Sequence, residues 1–213
     1  MNTPSNRVQA PVMQYSLNPA IGELERAYRF FNQELFGGAL DSKVILTIQS
    51  RGRKSALGWH WAKKWKNGDT TSLAEINFSA EDLKASDPYE ILIHEMAHHL
   101  NHQRGIKDVS GGQYHNSHFK EAAESAGLQV MKTGRVGYGI TALGDLAKEK
   151  ILQFKPQREV FGILRIQEIA RQKTKLKKWS CECGVNVRVA RPDFNATCNS
   201  CGTLFQRIEG GRS

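Results

Sequence analysis

Four histidines and a glutamate stand close together in the stretch ILIHEMAHHLNHQ, residues 91–103. His94 and His98 are four residues apart, so on a helix both imidazoles lie on one face and can reach a single ion. Glu95 follows His94 directly, which gives the order H-E-x-x-H: two zinc ligands beside a carboxylate that can take a proton from a metal-bound water. His98 and His102 share the spacing, but the residue after His98 is another histidine, so that pair lacks a base.

A catalytic zinc centre needs a third protein ligand and keeps one position open for water. The segment HNSHF follows the first motif, and its His115 and His118 are both candidates for that ligand. Glu121 and Glu124 are the weaker alternatives. Three histidines are left over, and we expect them to be exposed to solvent or to lie just outside the ligand set: His60, His99 and His102.

The four cysteines of the chain are confined to a short segment near its C-terminal end, in the patterns CEC and CNSC. Together they offer four thiolates to one tetrahedral ion: Cys181, Cys183, Cys198 and Cys201. The second pair has C-x-x-C spacing, and the first pair is one residue shorter. Gly184 and Gly202 follow the pairs and suit the tight turns of a zinc ribbon. We therefore predict a structural zinc here, with disulfides or free thiols as the alternative.

The proposed ligands define a hydrolytic chemistry. Three neutral imidazoles leave a zinc ion its full charge, so the pKa of its bound water falls to about 7. Glu95 would remove that proton, and it would later pass the proton to the leaving amine of a peptide. A group that stabilises the oxyanion is also expected, and three residues are unranked candidates for it: Tyr114, Tyr138 and Arg135.

The helices and strands that would position these residues are predicted from the first half of the chain. NPAIGELERAYRFFNQELFGG predicts a helix that Asn18 caps and Gly37 ends. KVILTIQS is typical of a strand, and LGWHWAKKW and TSLAEINFS predict a hairpin that turns at Asn67 and Gly68. Asp87 and Pro88 open the helix that carries the first histidines. A helix packed on a small sheet would thus hold the first two ligands.

The second half of the chain alternates helical and glycine-rich segments. HNSHFKEAAESAGL predicts a helix led by His115 and His118 that ends at Gly127. The glycine-rich passage TGRVGYGITALGD then leads to a basic helix expected near residues 158–173. NVRV and TLFQRI are predicted as the strands of the ribbon.

The composition is that of a globular protein with an excess of positive charge. The chain has 213 residues, 39% of them hydrophobic, which allows one main core and a small appendage. The formal net charge is +9, and residues 148–191 hold twelve Lys and Arg against four Glu. A nucleic acid is the commonest partner of such a surface. The sequence starts without a signal peptide and contains no run of about 18 apolar residues, so we expect no membrane association and a cytoplasmic location.

Three tryptophans alternate with lysines in the segment GWHWAKKWK. Trp59, Trp61 and Trp65 would lie on one face of a strand. Packing in the core is the interpretation we favour for them. Stacking on unpaired bases is the functional alternative.

Several of these segments resemble the SprT-like family of zinc metalloproteases, which includes the Spartan DNA-protein crosslink proteases. The resemblance rests on EINFSAEDLKASDPYEILIHEMAHHL, on YHNSHFKEAAESAGL and on the four-cysteine tail, and it covers roughly residues 20 to 205. In that family the third zinc ligand opens an H-x-x-x-F segment. Here His115 stands four residues before Phe119, so the resemblance implies His115 rather than His118. Asn116 replaces a glycine that is frequent in the family.

The resemblance also implies a fold and a domain organisation. The fold would be α+β: a zincin-like metalloprotease domain, with helices packed on a small sheet, and a C-terminal zinc-ribbon-like module. The expected segments are a flexible leader at 1–18, the metalloprotease domain at 19–145, a basic linker or helix at 146–177, and the zinc ribbon at 178–213.

The function implied by the resemblance is a zinc-dependent endopeptidase that cleaves proteins bound or crosslinked to DNA. It would hold one catalytic and one structural zinc, use a zinc-bound water activated by Glu95, and act as a monomer at single-stranded or damaged DNA. The alternative is a non-catalytic nucleic-acid-binding or regulatory module on a metallopeptidase-like scaffold. Glu95 separates the two hypotheses, because only hydrolysis requires a base beside the ligands.

Overall fold

The computed structural model describes residues 15–50, 56–68, 71–166 and 176–208. The chain divides into two compact units, Met1–Gln167 and Glu168–Ser213. Of the leader expected at 1–18, residues 1–14 lie outside the described residues. The domain boundaries set from the sequence stay predictions.

The first helix, α1, spans Asn18–Phe36 and buries a stripe of apolar side chains that includes Leu24, Ala27 and Phe31. Asn18 was predicted to cap this helix, which is wrong by one residue. The cap position belongs to Leu17, whose side chain makes no capping hydrogen bond. Gly37 ends the helix as predicted, in the left-handed conformation that glycine adopts without strain.

The first sheet has three strands in the order β1-β3-β2. They span Val44–Gln49 (β1), Gly58–Asn67 (β2) and Thr71–Ser79 (β3). The predicted hairpin is confirmed, since β2 and β3 are antiparallel and Gly68 has a φ of 68°. β1 runs parallel to β3, which leaves β2 as an edge strand.

The second helix, α2, spans Pro88–Gln103 and carries the H-E-x-x-H motif. The Asp87 carboxylate accepts a hydrogen bond from the Tyr89 backbone, so the predicted start is confirmed. One face of this helix is apolar and is buried in the core formed with α1 and the first sheet: Tyr89, Ile93, Met96, Ala97 and Leu100. The first two histidines therefore stand on a helix that the core fixes.

The second sheet has four strands in the order β4-β5-β7-β6. Its strands are Val109–Ser110 (β4), Tyr114–His115 (β5), Leu128–Thr133 (β6) and Gly137–Leu143 (β7), with a 3₁₀ turn at Gly111–Gln113. The third helix, α3, spans Ser117–Ser125 and lies between β5 and β6. The glycine-rich passage was expected to be a connection, but it forms most of the β6–β7 hairpin.

The fourth helix, α4, spans Asp145–Phe154 and is followed by a 3₁₀ turn at Arg158–Phe161. The basic helix expected near 158–173 is wrong over its described part, because residues 162–166 have no regular structure. The chain leaves α4 through Lys155 with a positive φ of 56°, and Pro156 cannot continue a helix. The rest of that expected helix, residues 167–175, lies outside the described residues.

The second unit contains a small antiparallel sheet in the order β10-β8-β9. Its strands span Lys177–Ser180 (β8), Asn186–Val189 (β9) and Gln206–Arg207 (β10). The NVRV strand is confirmed as β9, whereas TLFQRI forms only the short β10 and an isolated bridge at Leu204. β8 was missed. The aromatic rings of Trp179, Phe194 and Phe205 pack together beside this sheet.

The fold is thus mixed α+β, with four α-helices and small sheets among the described residues, as predicted at that level. The closer likeness to zincins stays a prediction. In the described part of the chain, every helix is too short or too polar to cross a bilayer.

Candidate metal centres

Three imidazoles meet at the junction of α2 and β5. His94 and His98 come from α2, and His115 comes from β5. Their ring centroids are 4.9 to 5.3 Å apart, and one nitrogen of each ring lies within 4.8 Å of the others. The structure therefore brings together the three residues that were predicted to be the ligands.

Each of these imidazoles has an oxygen partner at its Nδ1 atom. His98 Nδ1 lies 2.8 Å from Asp108 Oδ2, and His115 Nδ1 lies 3.3 Å from the carbonyl of Val136. His94 Nδ1 lies 3.2 Å from the Thr141 hydroxyl, which itself donates to a carboxylate oxygen of Glu90. All three oxygens can only accept from the ring, so each Nδ1 carries a proton.

The Nε2 atoms are then left without protons in the neutral rings. His115 Nε2 and His98 Nε2 lie 3.1 Å apart. Two lone pairs that face each other at this distance repel, whereas two nitrogens on one tetrahedral zinc would be roughly 3.3 Å apart. This arrangement of donors fits a bound cation.

Burial favours the neutral form of two of the three ligand candidates, His94 and His115. Desolvation lowers the pKa of His94 well below its ordinary value, and it also lowers the pKa of His115. A positive charge on His98 would lower both pKa values further. Neutral imidazole is the form that binds a metal ion.

One aromatic ring supports all three imidazoles. The ring centroid of Phe119 lies 4.5 Å from His94, 4.5 Å from His98 and 4.6 Å from His115. Phe119 is fully buried in the core. Because side chains in a close-packed core hold a single position, Phe119 fixes where the three rings can stand.

Glu95 lies beside the first imidazole in sequence and is only 4% exposed. Burial raises the pKa of Glu95 to about 7, and a positive charge on His98 would act in the opposite direction. Its carboxylate lies under the first residue of β2: a Cβ added to Gly58 would be 3.2 Å from Glu95 Oε1. The backbone of β2 thus covers the predicted base.

The alternative third ligands are placed elsewhere. His118 was expected to lead the same helix as His115, but His115 lies in β5 and His118 alone lies in α3. His118 and Glu121 line a shallow surface pocket, and Glu124 pairs with Lys120 at 3.7 Å. None of these three belongs to the described three-histidine cluster.

Two of the leftover histidines, the buried His99 and the half-buried His60, contact each other. His99 was expected to be exposed or to border the ligand set, but it is only 2% exposed. Its Nδ1 lies 3.2 Å from His60 Nε2, and its Nε2 lies 3.3 Å from Asp41 Oδ1. His102 is exposed, as predicted.

The sequence reasoning missed the residues that orient the imidazoles. Burial alone would raise the pKa of Asp108, but hydrogen bonds from His98 and Asn101 hold that pKa below its usual value. No spacing rule marks Asp108 or Thr141, which stand 10 and 47 residues from the histidines they contact. Among the oxyanion candidates, Tyr138 carries two ammonium groups over its ring, from Lys120 and Lys132, and the role remains a prediction.

The four cysteines form the second candidate centre. Their sulfur atoms lie within 4.8 Å of one another, and all four are free thiols. Cys183 and Cys198 Sγ are 3.8 Å apart, which matches the roughly 3.8 Å expected for two thiolates on one tetrahedral zinc. Gly184 and Gly202 both adopt the left-handed conformation, as the predicted turns require.

The environment of this cluster favours thiolate at one position in particular. The side-chain and backbone hydrogen bonds of Thr203 lower the pKa of Cys201 to about 6. Hydrogen bonds from the backbone lower the pKa of Cys198 as well. Thiolate is the form that binds zinc, so these donors favour the metal-binding form of Cys198 and Cys201. At Cys183 the hydrogen bond with Cys181 raises the pKa instead.

Comparison with known proteins adds one finding. A family model described as the SprT-like family matches residues 24–136, which include all three histidines of the cluster and Glu95. No curated protein and no solved structure gives a significant match.

Proposed function

The chain belongs to the SprT-like family, and from this premise we propose that it is a zinc-dependent endopeptidase acting on proteins bound or crosslinked to DNA. Family membership supports a metalloprotease-like module. The proposal adds to this module a peptidase reaction and a DNA-bound substrate.

The peptidase proposal is carried by three converging imidazoles, each with an oxygen at its Nδ1 atom, and by the buried Glu95 carboxylate on the helix that holds two of them. His94, His98 and His115 would hold the ion through Nε2, because each Nδ1 is engaged by an oxygen. Three imidazoles leave one position of a tetrahedral centre open, which distinguishes a catalytic site from a structural one.

A zinc ion bound there would supply Lewis-acid chemistry, by acidifying a water molecule and polarising a peptide carbonyl. Glu95 accepts the proton of the attacking water on a carboxylate oxygen and then donates it to the nitrogen of the leaving amine. Gly58 leaves room for that carboxylate, since a Cβ at this position would lie 3.2 Å from Glu95 Oε1. Asp108 holds His98 in the orientation that presents Nε2.

The four cysteines would hold the second zinc. Four thiolates complete a tetrahedral site, so this centre has no open position and contributes folding free energy to the second unit. We propose one catalytic and one structural zinc in each chain. A monomer is sufficient for this, since one chain supplies all seven ligands.

Excess positive charge supports the DNA-directed part of the proposal. The formal charge is +9, and Lys177, Lys178 and Arg188 are exposed on two adjacent strands of the second unit. Lys178 and Arg188 are direct cross-strand partners. Such a basic surface binds phosphates and would bring the enzyme to proteins held on single-stranded or damaged DNA.

The test is cleavage of a DNA-bound protein, measured with and without single-stranded DNA, for wild type and Glu95→Gln. Glu124→Gln is the matched control, because Glu124 is exposed on α3. We expect Glu95→Gln to keep its zinc and to lose at least about 100-fold in rate, in line with loss of a general base. If Glu95→Gln cleaves like wild type, the peptidase proposal is wrong; if wild type binds DNA and cleaves nothing, the binding-module hypothesis replaces it.

A further inference from the structure

Two tryptophans lie exposed on the edge strand of the first sheet. The sequence favoured core packing for them, but Trp61 and Trp65 are 43% and 42% exposed. Trp61 pairs with Glu75 and Trp65 with Leu73 of β3. Glu75 and Leu73 are two residues apart and share a face of β3, so both tryptophans lie on the same face of the sheet.

The charge around these rings is positive. Lys63, Lys64 and Lys66 are exposed on β2, and Lys64 Nζ lies 5.1 Å from the centroid of the Trp61 ring. β2 contains no acidic residue. Glu75 is the acid nearest in register, but it is 2% exposed and accepts hydrogen bonds from Thr47 and Gln49.

Protection of an edge strand explains only part of this surface. Lysines and a β-bulge commonly prevent one sheet edge from pairing with another, and β2 has a register shift between Trp61 and Trp65. Exposed tryptophans have the opposite effect, because they add apolar surface at the edge. Protection of the edge therefore does not explain why Trp61 and Trp65 are exposed.

The combination of rings and lysines selects one class of partner. Lysine is depleted in protein–protein interfaces, which argues against a docked protein. Single-stranded nucleic acid offers base faces for the rings and phosphates for the ammonium groups. A duplex hides its base faces in its own stack, so it would use only the lysines.

We propose that the β2 strip, defined as Trp61, Lys63, Lys64, Trp65 and Lys66, binds single-stranded DNA. Their partners Glu75 and Leu73 are two residues apart on β3, so at about 3.3 Å per residue the backbones of the two tryptophans are roughly 7 Å apart. That separation leaves room for each ring to stack on a different base. The proposal rests on the DNA partner of the proposed function and adds a contact in the first unit. Because β2 begins at Gly58, against Glu95, DNA on this strip would lie on the strand that covers the catalytic base.

Binding is measured by fluorescence anisotropy of labelled oligo-dT of about 20 nucleotides, with the full chain in the Glu95→Gln background. Trp61→Ala/Trp65→Ala should weaken binding about tenfold for each ring removed, and Trp61→Phe/Trp65→Phe should retain most of the affinity. Leu152→Ala is the control, since Leu152 is 74% exposed on α4. Duplex binding should change little in any of these variants.

Two further readouts keep the test decisive if the alanine variant folds poorly. Stacking should quench tryptophan emission of the wild type on oligo-dT addition, and Trp61→Phe/Trp65→Phe should remove most of that quenching. Lys63→Ala/Lys64→Ala/Lys66→Ala should flatten the slope of log K against log salt by about 2, at roughly 0.7 for each phosphate that the lysines no longer neutralise.

Unchanged oligo-dT affinity in the folded alanine variant, or equal quenching in the phenylalanine variant, would overturn the proposal. If variants of Lys177 and Lys178 then lose binding, the DNA part of the proposed function survives without the β2 strip. If wild type binds no oligo-dT, the DNA part of the proposed function and the β2 strip proposal are both wrong. Cleavage of a DNA-free protein by wild type still reports on the peptidase part separately.

Discussion

At the residue scale, the three imidazoles derive their chemistry from partners that the H-E-x-x-H pattern does not contain. Asp108, Thr141 and the carbonyl of Val136 engage the Nδ1 atoms and so set which nitrogen faces the cluster. We therefore expect the loss of His115 to change the zinc content, and the loss of the nearby His118 to leave it unchanged.

His115→Ala should lose the zinc of the three-histidine site, whereas His118→Ala should retain it. His115 Nε2 lies 3.1 Å from His98 Nε2, and His118 lies on the surface of α3. Two remaining imidazoles bind zinc far more weakly than three. Elemental analysis and the cleavage rate compare the two variants. If His115→Ala retains that zinc and His118→Ala loses it, the ligand assignment is wrong.

Gly139→Ala should displace His115 without changing any ligand. A Cβ at Gly139 would overlap His115 Nδ1 and would lie 2.8 Å from Cε1 of the same ring. We expect zinc affinity to fall by about 10- to 100-fold, as for changes to the groups that orient a ligand. Gly134→Ala is the matched control, because nothing lies within 4 Å of the Cβ position there. Competition with a chelator measures the zinc affinity of both variants. Equal zinc affinities in Gly139→Ala and Gly134→Ala would show that His115 can move aside.

The sequence identified the chemistry of single residues better than their surroundings. His94, Glu95 and His98 follow from helical spacing alone, and the structure places His115 beside them. Asp108 and Thr141 reach the histidines only through the tertiary fold, so no local pattern could have indicated them. The burial of His99 was missed for the same reason, since His60 and Asp41 come from distant segments.

At the element scale, a buried carboxylate links the helices that support the site. Glu23 on α1 accepts hydrogen bonds from Tyr89 of α2 and from the Gln157 backbone, and it pairs with Arg26 at 2.9 Å. Arg26 also donates to the carbonyls of Phe154 and Lys155 at the end of α4. One ion pair thus connects α1, α2 and the exit of α4.

Glu23→Ala should lower the free energy of unfolding by about 2–4 kcal/mol. The change leaves the Tyr89 hydroxyl and the Gln157 backbone N–H without their acceptor. It also leaves the Arg26 guanidinium without the buried carboxylate that pairs with it. Glu25→Ala, at an exposed position of the same helix, should cost less than about 0.5 kcal/mol. Urea unfolding compares the two, and equal midpoints would contradict the structural role of Glu23.

Local sequence signals predicted the bounds of elements best where a turn or a cap supports them. Asn67 and Gly68 predicted the β2–β3 hairpin, and Asp87 with Pro88 predicted the start of α2. The β6–β7 hairpin was missed because its glycines were taken for a connection, although Gly137 and Gly139 are small so that the chain can pass His115 closely. The basic helix expected near 158–173 is wrong over its described part, because Lys155 and Pro156 end the helical path and residues 162–166 have no regular structure.

At the scale of the whole molecule, the distribution of charge and metal ligands suggests a division of labour. The three-histidine cluster lies in the first unit, and the four-cysteine cluster lies in the second. The exposed Lys177, Lys178 and Arg188 also lie in the second unit. Lys173 and Lys175, which belong to the same basic stretch of sequence, lie outside the described residues. If the second unit recruits DNA, its contribution should be separable from the chemistry.

Lys177→Ala/Lys178→Ala should weaken DNA binding and reduce DNA-stimulated cleavage while leaving both zincs in place. Wild-type affinity should fall with roughly the fourth to sixth power of salt concentration, and the variant should flatten that slope by about 1.5. A salt titration of binding and cleavage measures both. If the variant matches wild type at every salt concentration, these lysines belong to a solvated surface.

Zinc stoichiometry tests the central claim, that His94, His98 and His115 form a metal centre separate from the cysteine cluster. Elemental analysis of purified wild type should find two zinc ions per chain. His98→Ala should hold one zinc ion, keep the second unit folded and lack peptidase activity. If His98→Ala still contains two zinc ions, or if wild type contains only one, the account of the catalytic centre is contradicted.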